Sequence, residues 1–260
     1  MKLFDTHSHM YLEAFDEDRD ACMARASERG VSRVALPNID RSSIAALRSM
    51  LLGYPEQCVG MMGLHPCSVK EDWEEELEII LKELDTGLYC AVGEIGLDFY
   101  WDTSFRLQQI EAFEQQIVWA KERKLAIAIH CRESFAEVCE VLDRQADSDL
   151  RGVFHCFTGG LEDVERALAF PNFYLGIGGV LTFKNSGLDR SIAEVPLERM
   201  VLETDAPYLA PTPFRGKRNE TAYTRLVAEK LASVSGYSLE EVARVSSANA
   251  KNLFGIDSDK

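Results

Sequence analysis

A TIM-like (β/α)8 barrel, a single α/β domain over residues 1–260, is the fold this sequence predicts. Three observations lead there. Eight short apolar runs alternate with amphipathic stretches along the whole chain. The spacing is about 30 residues per unit, the size of a strand–helix element, and eight such units close into a barrel of roughly 250 residues. No low-complexity tract or Gly/Ser linker divides the sequence. An open doubly wound sheet is the competing architecture, but there is no Gly-x-Gly-x-x-Gly after the first run and no Walker-type loop to favour it.

The runs that read as buried parallel strands are Leu3-Phe4, Val34-Ala35-Leu36, Val59 to Met62, Cys90-Ala91-Val92, Leu125 to Ile129, Val153-Phe154, Phe173 to Ile177 and Met200-Val201-Leu202. Each is short, several are rich in β-branched residues, and each ends at a polar residue or a glycine. Between them, helices are expected over Asp16–Arg29, stopped by Gly30, over Arg41–Leu52, stopped by Gly53, and over Glu71–Asp85, ending before Gly87. Phe105–Lys124 sets Leu107, Ile110, Phe113, Ile117 and Ala120 at helical spacing. Glu133–Gln145, Glu162–Phe170 and Thr221–Ser235 follow, and a helical pair, Leu239–Val245 and Ser247–Phe254, forms the tail. The acidic stretch Glu71 to Glu76 reads as a solvated first turn, its charges favoured by the helix dipole.

Composition narrows the function classes. Apolar residues make up 46% and charged residues 27%, as in ordinary globular proteins. No apolar stretch is long enough to span a bilayer. The opening Met1-Lys2-Leu3-Phe4-Asp5-Thr6-His7 does not read as a signal peptide, because a carboxylate and a histidine arrive where an apolar region should run. The net charge of −15 opposes a basic surface coat that grips duplex DNA. The seven cysteines are odd in number and none form a Cys-x-x-Cys pair, so free thiols and a cytoplasmic setting are expected.

Position is the informative feature of the polar residues. The chain has five histidines, and all fall at or just after the end of a strand candidate: His7 and His9, His65, His130, and His155. Glu94 follows the fourth strand and Glu203 and Asp205 follow the eighth. In a barrel of this kind the chemistry sits at the C-terminal strand ends. One such histidine is most often a hydrogen-bonded core residue. Five, with carboxylates on the same rim, are costly to bury unless a cation balances them. His7 and His9, two apart in an extended chain, face the same side and can chelate one ion. By the same alternation Cys131 and Cys156 should point outward to the helix layer. The nitrogen and oxygen donors suit Zn, Mn, Fe, Ni or Mg and outnumber the four ligands of a closed structural site. The expected centre is two divalent ions, with His7, His9, Glu94 and Asp205 on the first and Glu94, His130 and His155 on the second.

Seven segments stand in order along the chain: Phe4-Asp5-Thr6-His7-Ser8-His9, Gly63-Leu64-His65-Pro66, Gly93 to Tyr100, His130-Cys131-Arg132, His155 to Gly159, Glu203 to Leu209 and Arg215 to Glu220. Together they resemble the TatD-type deoxyribonucleases of the metal-dependent amidohydrolase superfamily. The resemblance implies a TIM-like barrel with a two-metal centre that hydrolyses phosphodiesters, names the same six ligands, and marks His65 and Glu203 as site residues. Two positions depart from the family pattern. Cys131 stands where Thr is usual, and Thr221 where Pro usually follows the Asn-Glu pair.

The reaction expected is exonuclease-type cleavage of DNA ends or short single strands. Asp205 accepts the water's proton, His65 contacts the phosphate or protonates the leaving oxygen, and Glu203 orders the water or a neighbouring histidine. Arg132, Arg215, Lys217 and Arg218 supply local positive charge for phosphate. Phe99-Tyr100-Trp101 either stacks a base or packs the rim. Hydrolysis of a small ester, amide or lactone is the alternative that fold and ligands leave open. A non-catalytic metal-binding protein is disfavoured by the ligand count. A monomer needing no protein partner and no membrane is expected.

Overall fold

The computed structural model describes residues 1–145 and 147–256. Eight parallel strands form one sheet in sequence order: β1 Leu3–Asp5, β2 Val31–Pro37, β3 Cys58–Met61, β4 Tyr89–Asp98, β5 Ala126–Arg132, β6 Gly152–Phe154, β7 Phe173–Ile177 and β8 Met200–Leu202. The sheet closes on itself beyond the paired strands. Thr6 N–H donates to Leu202 O at 2.9 Å, Asp205 N–H to His7 O at 2.9 Å, and Ser8 bridges Ala206. Closure therefore happens at the C-terminal mouth and brings His7 beside Asp205.

The helices are α1 Arg19–Glu28, α2 Ile44–Gly53, α3 Trp73–Leu84, α4 Arg106–Arg123, α5 Phe135–Gln145, α6 Leu161–Leu168, α7 Leu188–Ser191, α8 Thr224–Ser235 and α9 Leu239–Phe254. Inside the barrel, Phe4, Ala35, Met61, Ala91, Ala126, Ala128, Val153 and Val201 form a compact cluster. Leu253 and Phe254 of α9 pack onto that cluster, and the Phe4 and Phe254 rings lie 5.8 Å apart. The small alanines let the narrow interior fill without voids. A larger cluster between strands and helices makes up the rest of the core.

Four expectations change. The tail is one helix, not two: Ser246 is buried within α9, and Asn249 donates to Leu197 O and Met200 O at 2.9 and 2.8 Å. The connection from β7 to β8 has only two 3-10 turns and the four-residue α7. Leu107 is 70% exposed, and α4 instead buries Gln109, Ala112, Phe113 and Gln116 on the adjoining face. Glu76 leaves the acidic stretch for the interior, where Arg41 Nε reaches it at 2.7 Å.

Two local features aim the site. From Val92 to Ile95, β4 advances three residues while β5 advances two, from Ile127 to Ile129. This bulge carries Gly93 and Glu94 and re-aims the strand's side chains at the mouth. Two residues later the chain needs glycine: Gly96 has φ +139, and a Cβ there would lie 2.0 Å from His130 O. The absence of a side chain lets β4 and β5 approach where Glu94 and His130 meet.

Candidate metal centre

Glu94 is the hub. Its Oε2 lies 3.1 Å from His7 Nε2 and 3.6 Å from His9 Nε2. Its Oε1 lies 2.9 Å from His130 Nδ1, 3.5 Å from His65 Nε2 and 3.7 Å from His155 Nε2. One carboxylate thus meets all five imidazoles. Asp205 Oδ1 faces the same space, 3.6 Å from His9 Nε2 and 3.8 Å from His155 Nε2. The His7 and His155 rings stack with centroids 3.4 Å apart. The six expected ligands converge in one cavity.

Hydrogen bonds on the far side of each ring decide which nitrogen faces the centre. Tyr11 donates its hydroxyl hydrogen to Pro37 O at 2.7 Å, so its oxygen is an acceptor toward His9 Nδ1, 3.1 Å away. His9 then carries its proton on Nδ1 and turns the Nε2 lone pair inward. His130 Nε2 lies 2.8 Å from Asp98 Oδ2 and Nδ1 lies 2.9 Å from Glu94 Oε1, so the ring donates to both carboxylates and would free the Nδ1 lone pair only where a cation replaces that hydrogen. His65 is the reverse case. Its Nδ1 accepts from Cys67 N–H at 3.0 Å, which leaves the hydrogen of a neutral ring on Nε2, facing the centre between His130 Nδ1 at 3.2 Å and Glu94 Oε1 at 3.5 Å. His65 therefore caps its turn and also offers a proton to the centre.

Glu203 lies beneath His155, with Oε1 3.0 Å from His155 Nδ1 and accepting from Cys156 N–H at 2.6 Å. Gly176 makes room for it, since a Cβ there would fall 2.3 Å from Glu203 Oε2. Asp5 ties the first and last strands together. It accepts Thr204 N–H at 2.9 Å and Thr204 Oγ1–H at 2.7 Å, and burial, only partly offset by these bonds, pushes its carboxyl up to about 7.

Two sequence expectations are corrected here. Cys131 packs outward against the helix layer beside Ser134, but Cys156 does not: its Sγ gathers with His155 and Asp205 donor atoms within 4.8 Å of one another. The chain has left β6 by then, and Cys156 has φ +47, so strand alternation no longer applies. Arg218 is occupied elsewhere. It grips both oxygens of Asp18 at 2.7 Å and lies over Phe15. Arg215 lies over the Phe183 ring, Lys217 is exposed, and Arg132, at the rim, stacks on Tyr100 and Trp101. Thr221 opens a 3-10 turn, a position a proline also fits, and its hydroxyl pairs with Ser8 Oγ at 3.0 Å.

The residues fit a cation. His7 Nδ1 and Glu203 Oε2 are buried without a hydrogen-bond partner, at a cost of about 1–3 kcal/mol each, while His155 Nδ1 has the Glu203 carboxylate 3.0 Å away. Donor atoms of these three residues lie within 4.8 Å of one another, as do those of His7, His9 and Glu94, and of His65, Glu94 and His130. Burial disfavours the His155 imidazolium, yet Glu203, Glu94 and Asp205 outweigh it and raise its pKa to about 9. A field that holds a proton so firmly also favours a divalent ion, and the two compete. Apparent Mn2+ affinity is expected to fall at least about tenfold per pH unit below 9, with one or more protons released per ion bound, since His9 and His130 are raised as well. Calorimetric titration in buffers of different ionisation enthalpy counts those protons; a pH-independent affinity with no proton release refutes the competition.

A closed parallel barrel with imidazoles and carboxylates gathered at its C-terminal mouth defines the class: a metal-dependent hydrolase. Residues 4–255 match the family of TatD-related DNases, and the chain belongs to that family. It is 40% identical over 257 residues to the metal-dependent hydrolase YabD of Bacillus subtilis, covering 98% of this chain and 100% of the relative. It is 31% identical over 261 residues to the 3'-5' ssDNA/RNA exonuclease TatD of Erwinia amylovora, covering 98% and 100%. The crystal structure of YJJV, a TatD homolog from Escherichia coli K12, superposes with a TM-score of 0.92 at 28% identity over 98% of each chain.

Sequence reasoning left Asp98, Asp5 and Tyr11 without a role. Asp5 shares the alternation of His7 and His9, and Asp98 lies four residues beyond Glu94, so both signals were present. Tyr11 continues that spacing to reach His9, but its second partner, Pro37 O, lies on another strand.

Proposed function

We propose that the protein removes nucleotides from the ends of single-stranded DNA or RNA, the activity carried in the Erwinia relative's name. The observation that carries this reading is the convergence of all five imidazoles on one buried carboxylate, beside the exposed Arg132 guanidinium at the rim. Two divalent ions, Zn, Mg or Mn, are the proposed cofactors, held by His7, His9, Glu94 and Asp205 and by Glu94, His130 and His155. When bound, such ions lower the pKa of water, to about 7 in favourable zinc sites, and draw charge from a phosphoryl group.

The chain's own groups do the rest. Asp205 is 15% exposed at its side chain while Glu94 and Glu203 are at 3% and 1%, so Asp205 is the carboxylate that water reaches. Burial works against its charge, but His155, His9 and His7 hold its pKa below the usual range. It is therefore ionised and accepts the proton of the attacking water. His65 donates its Nε2 hydrogen to the departing oxygen. Glu203 and Asp98 fix the His155 and His130 rings as positioning residues. Arg132 meets phosphate oxygens at the rim, with Arg215 and Lys217 on the loop after β8; Arg218, committed to Asp18, is outside this set. The protein acts as a monomer, and its seven free cysteines suit a reducing compartment. Among the described residues no helix is long and apolar enough to cross a membrane.

The test is cleavage of end-labelled single-stranded DNA and RNA with Mg2+, Mn2+ or Zn2+. A ladder of shortened products that disappears with chelator is expected. Intact strands beside rapid opening of a lactone or amide would overturn the nuclease reading.

A further inference from the structure

Exposed aromatic side chains are unevenly placed. Among the described residues four are exposed: Tyr100 at 50%, Trp101 at 67%, Tyr208 at 52% and Tyr237 at 40%. Three of the four border the metal centre, and they lie on its two sides. Trp101 and Tyr100 stand behind His130: Asp98 accepts their backbone N–H groups on Oδ1 at 3.1 and 3.0 Å while its Oδ2 meets His130. His130 in turn contacts Oε1 of Glu94. Tyr208 stands behind His9, ring centroids 6.2 Å apart, and His9 contacts the other oxygen, Oε2.

The Trp101 loop is anchored by its backbone and by buried neighbours, and its two exposed rings pack edge-to-face with centroids 4.9 Å apart. Phe99 is buried beneath Arg106, and Lys70 pairs with Asp102 at 2.9 Å. Arg132 lies 3.9 Å over the Tyr100 ring and 5.1 Å from that of Trp101. Even with these contacts the Trp101 side chain stays 67% exposed, its indole open to a further flat partner.

We propose that Trp101 with Tyr100, and Tyr208 across the centre, are nucleobase platforms that grip the two nucleotides flanking the bond to be cut. This deepens the nuclease reading above and rests on it. Stacking on a protein ring needs a base face that is free, whereas a base within a duplex has neighbours on both faces. The platforms therefore select strands whose terminal bases are unpaired. They tolerate any base, because every base offers a π-face. Arg132, stacked on Tyr100, extends the platform toward the phosphate.

The test reads binding apart from turnover. Trp101 is the exposed tryptophan; Trp119 is buried and Trp73 half-buried. Stopped-flow mixing of the metal-loaded enzyme with pentathymidylate is expected to quench tryptophan emission before cleavage, and a base-free deoxyribose-phosphate chain of equal length is not. Trp101→Ala is expected to abolish the quench and raise KM for pentathymidylate about tenfold, with kcat within about twofold. Trp101→Phe should restore KM but not the quench. Equal quenching by the base-free chain, or an unchanged KM in Trp101→Ala, overturns the platform. If the wild type cleaves no oligonucleotide, the nuclease reading fails and the quench alone decides: present only with bases it supports the platform, and absent it refutes it.

Discussion

Glu94→Gln is expected to strip most of the bound metal and to lower kcat by on the order of 10³ or more while the barrel stays folded. Loss of a residue that merely orients a ligand costs 10- to 100-fold in affinity or activity. Glu94 contacts all five imidazoles, so its loss should exceed that range. Its charge matters more than its shape. Burial alone would raise its pKa, but His7, His65 and His155 hold it well below the usual carboxylate range. Glutamine keeps the size and an acceptor oxygen, yet removes the negative charge that offsets a cation at this centre. The fold should survive, because Gly93 and Gly96, not the Glu94 side chain, let β4 pass its neighbours. Metal content by elemental analysis, circular dichroism and the end-labelled assay check the three parts. A variant with full metal content and full rate would remove Glu94 from the centre.

The architecture was legible because it is set by local rules. All eight strands fall on the apolar runs, and β7 and β8 coincide with theirs, since a buried parallel strand must be continuously apolar. Alternation also placed His7 and His9 together. It failed at Cys156, where the chain turns out of β6 and the backbone becomes left-handed. No periodicity forecasts such a turn. The β4 bulge is equally silent in sequence, although it helps to aim Glu94.

What sequence could not weigh was competition between distant charges. Arg218 sits in a basic loop after the last strand, where phosphate contacts are common. Asp18, 200 residues earlier, captures it instead with a bidentate pair. His65 carried two readings, a turn cap and a proton donor, and the structure joins them. Cys67 N–H occupies Nδ1, so the remaining hydrogen is directed into the centre, toward His130 and Glu94. A group fixed for structural reasons thereby acquires a defined tautomer.

Asp205→Asn should separate proton transfer from metal binding. The substitution keeps the side-chain shape and an oxygen facing His9 and His155, which lie 3.6 and 3.8 Å away. It removes the capacity to take a proton. General-base catalysis contributes about 10²- to 10⁴-fold, so kcat is expected to fall within that range. KM should stay within about threefold and metal content should stay near the wild-type level, because the other five ligands are untouched. The backbone should tolerate the change: Asp205 has φ +57, a left-handed conformation that Asn adopts as readily as Asp. The pH profile supplies a second reading. Wild-type kcat/KM should fall as the solution is acidified through the pKa of Asp205, which its histidine neighbours hold below the usual carboxylate range. In Asp205→Asn the part of that acid limb that remains at saturating metal should vanish from the residual activity. Full activity in the variant would transfer the base role to another group; loss of metal equal to that of Glu94→Gln would make Asp205 a ligand first.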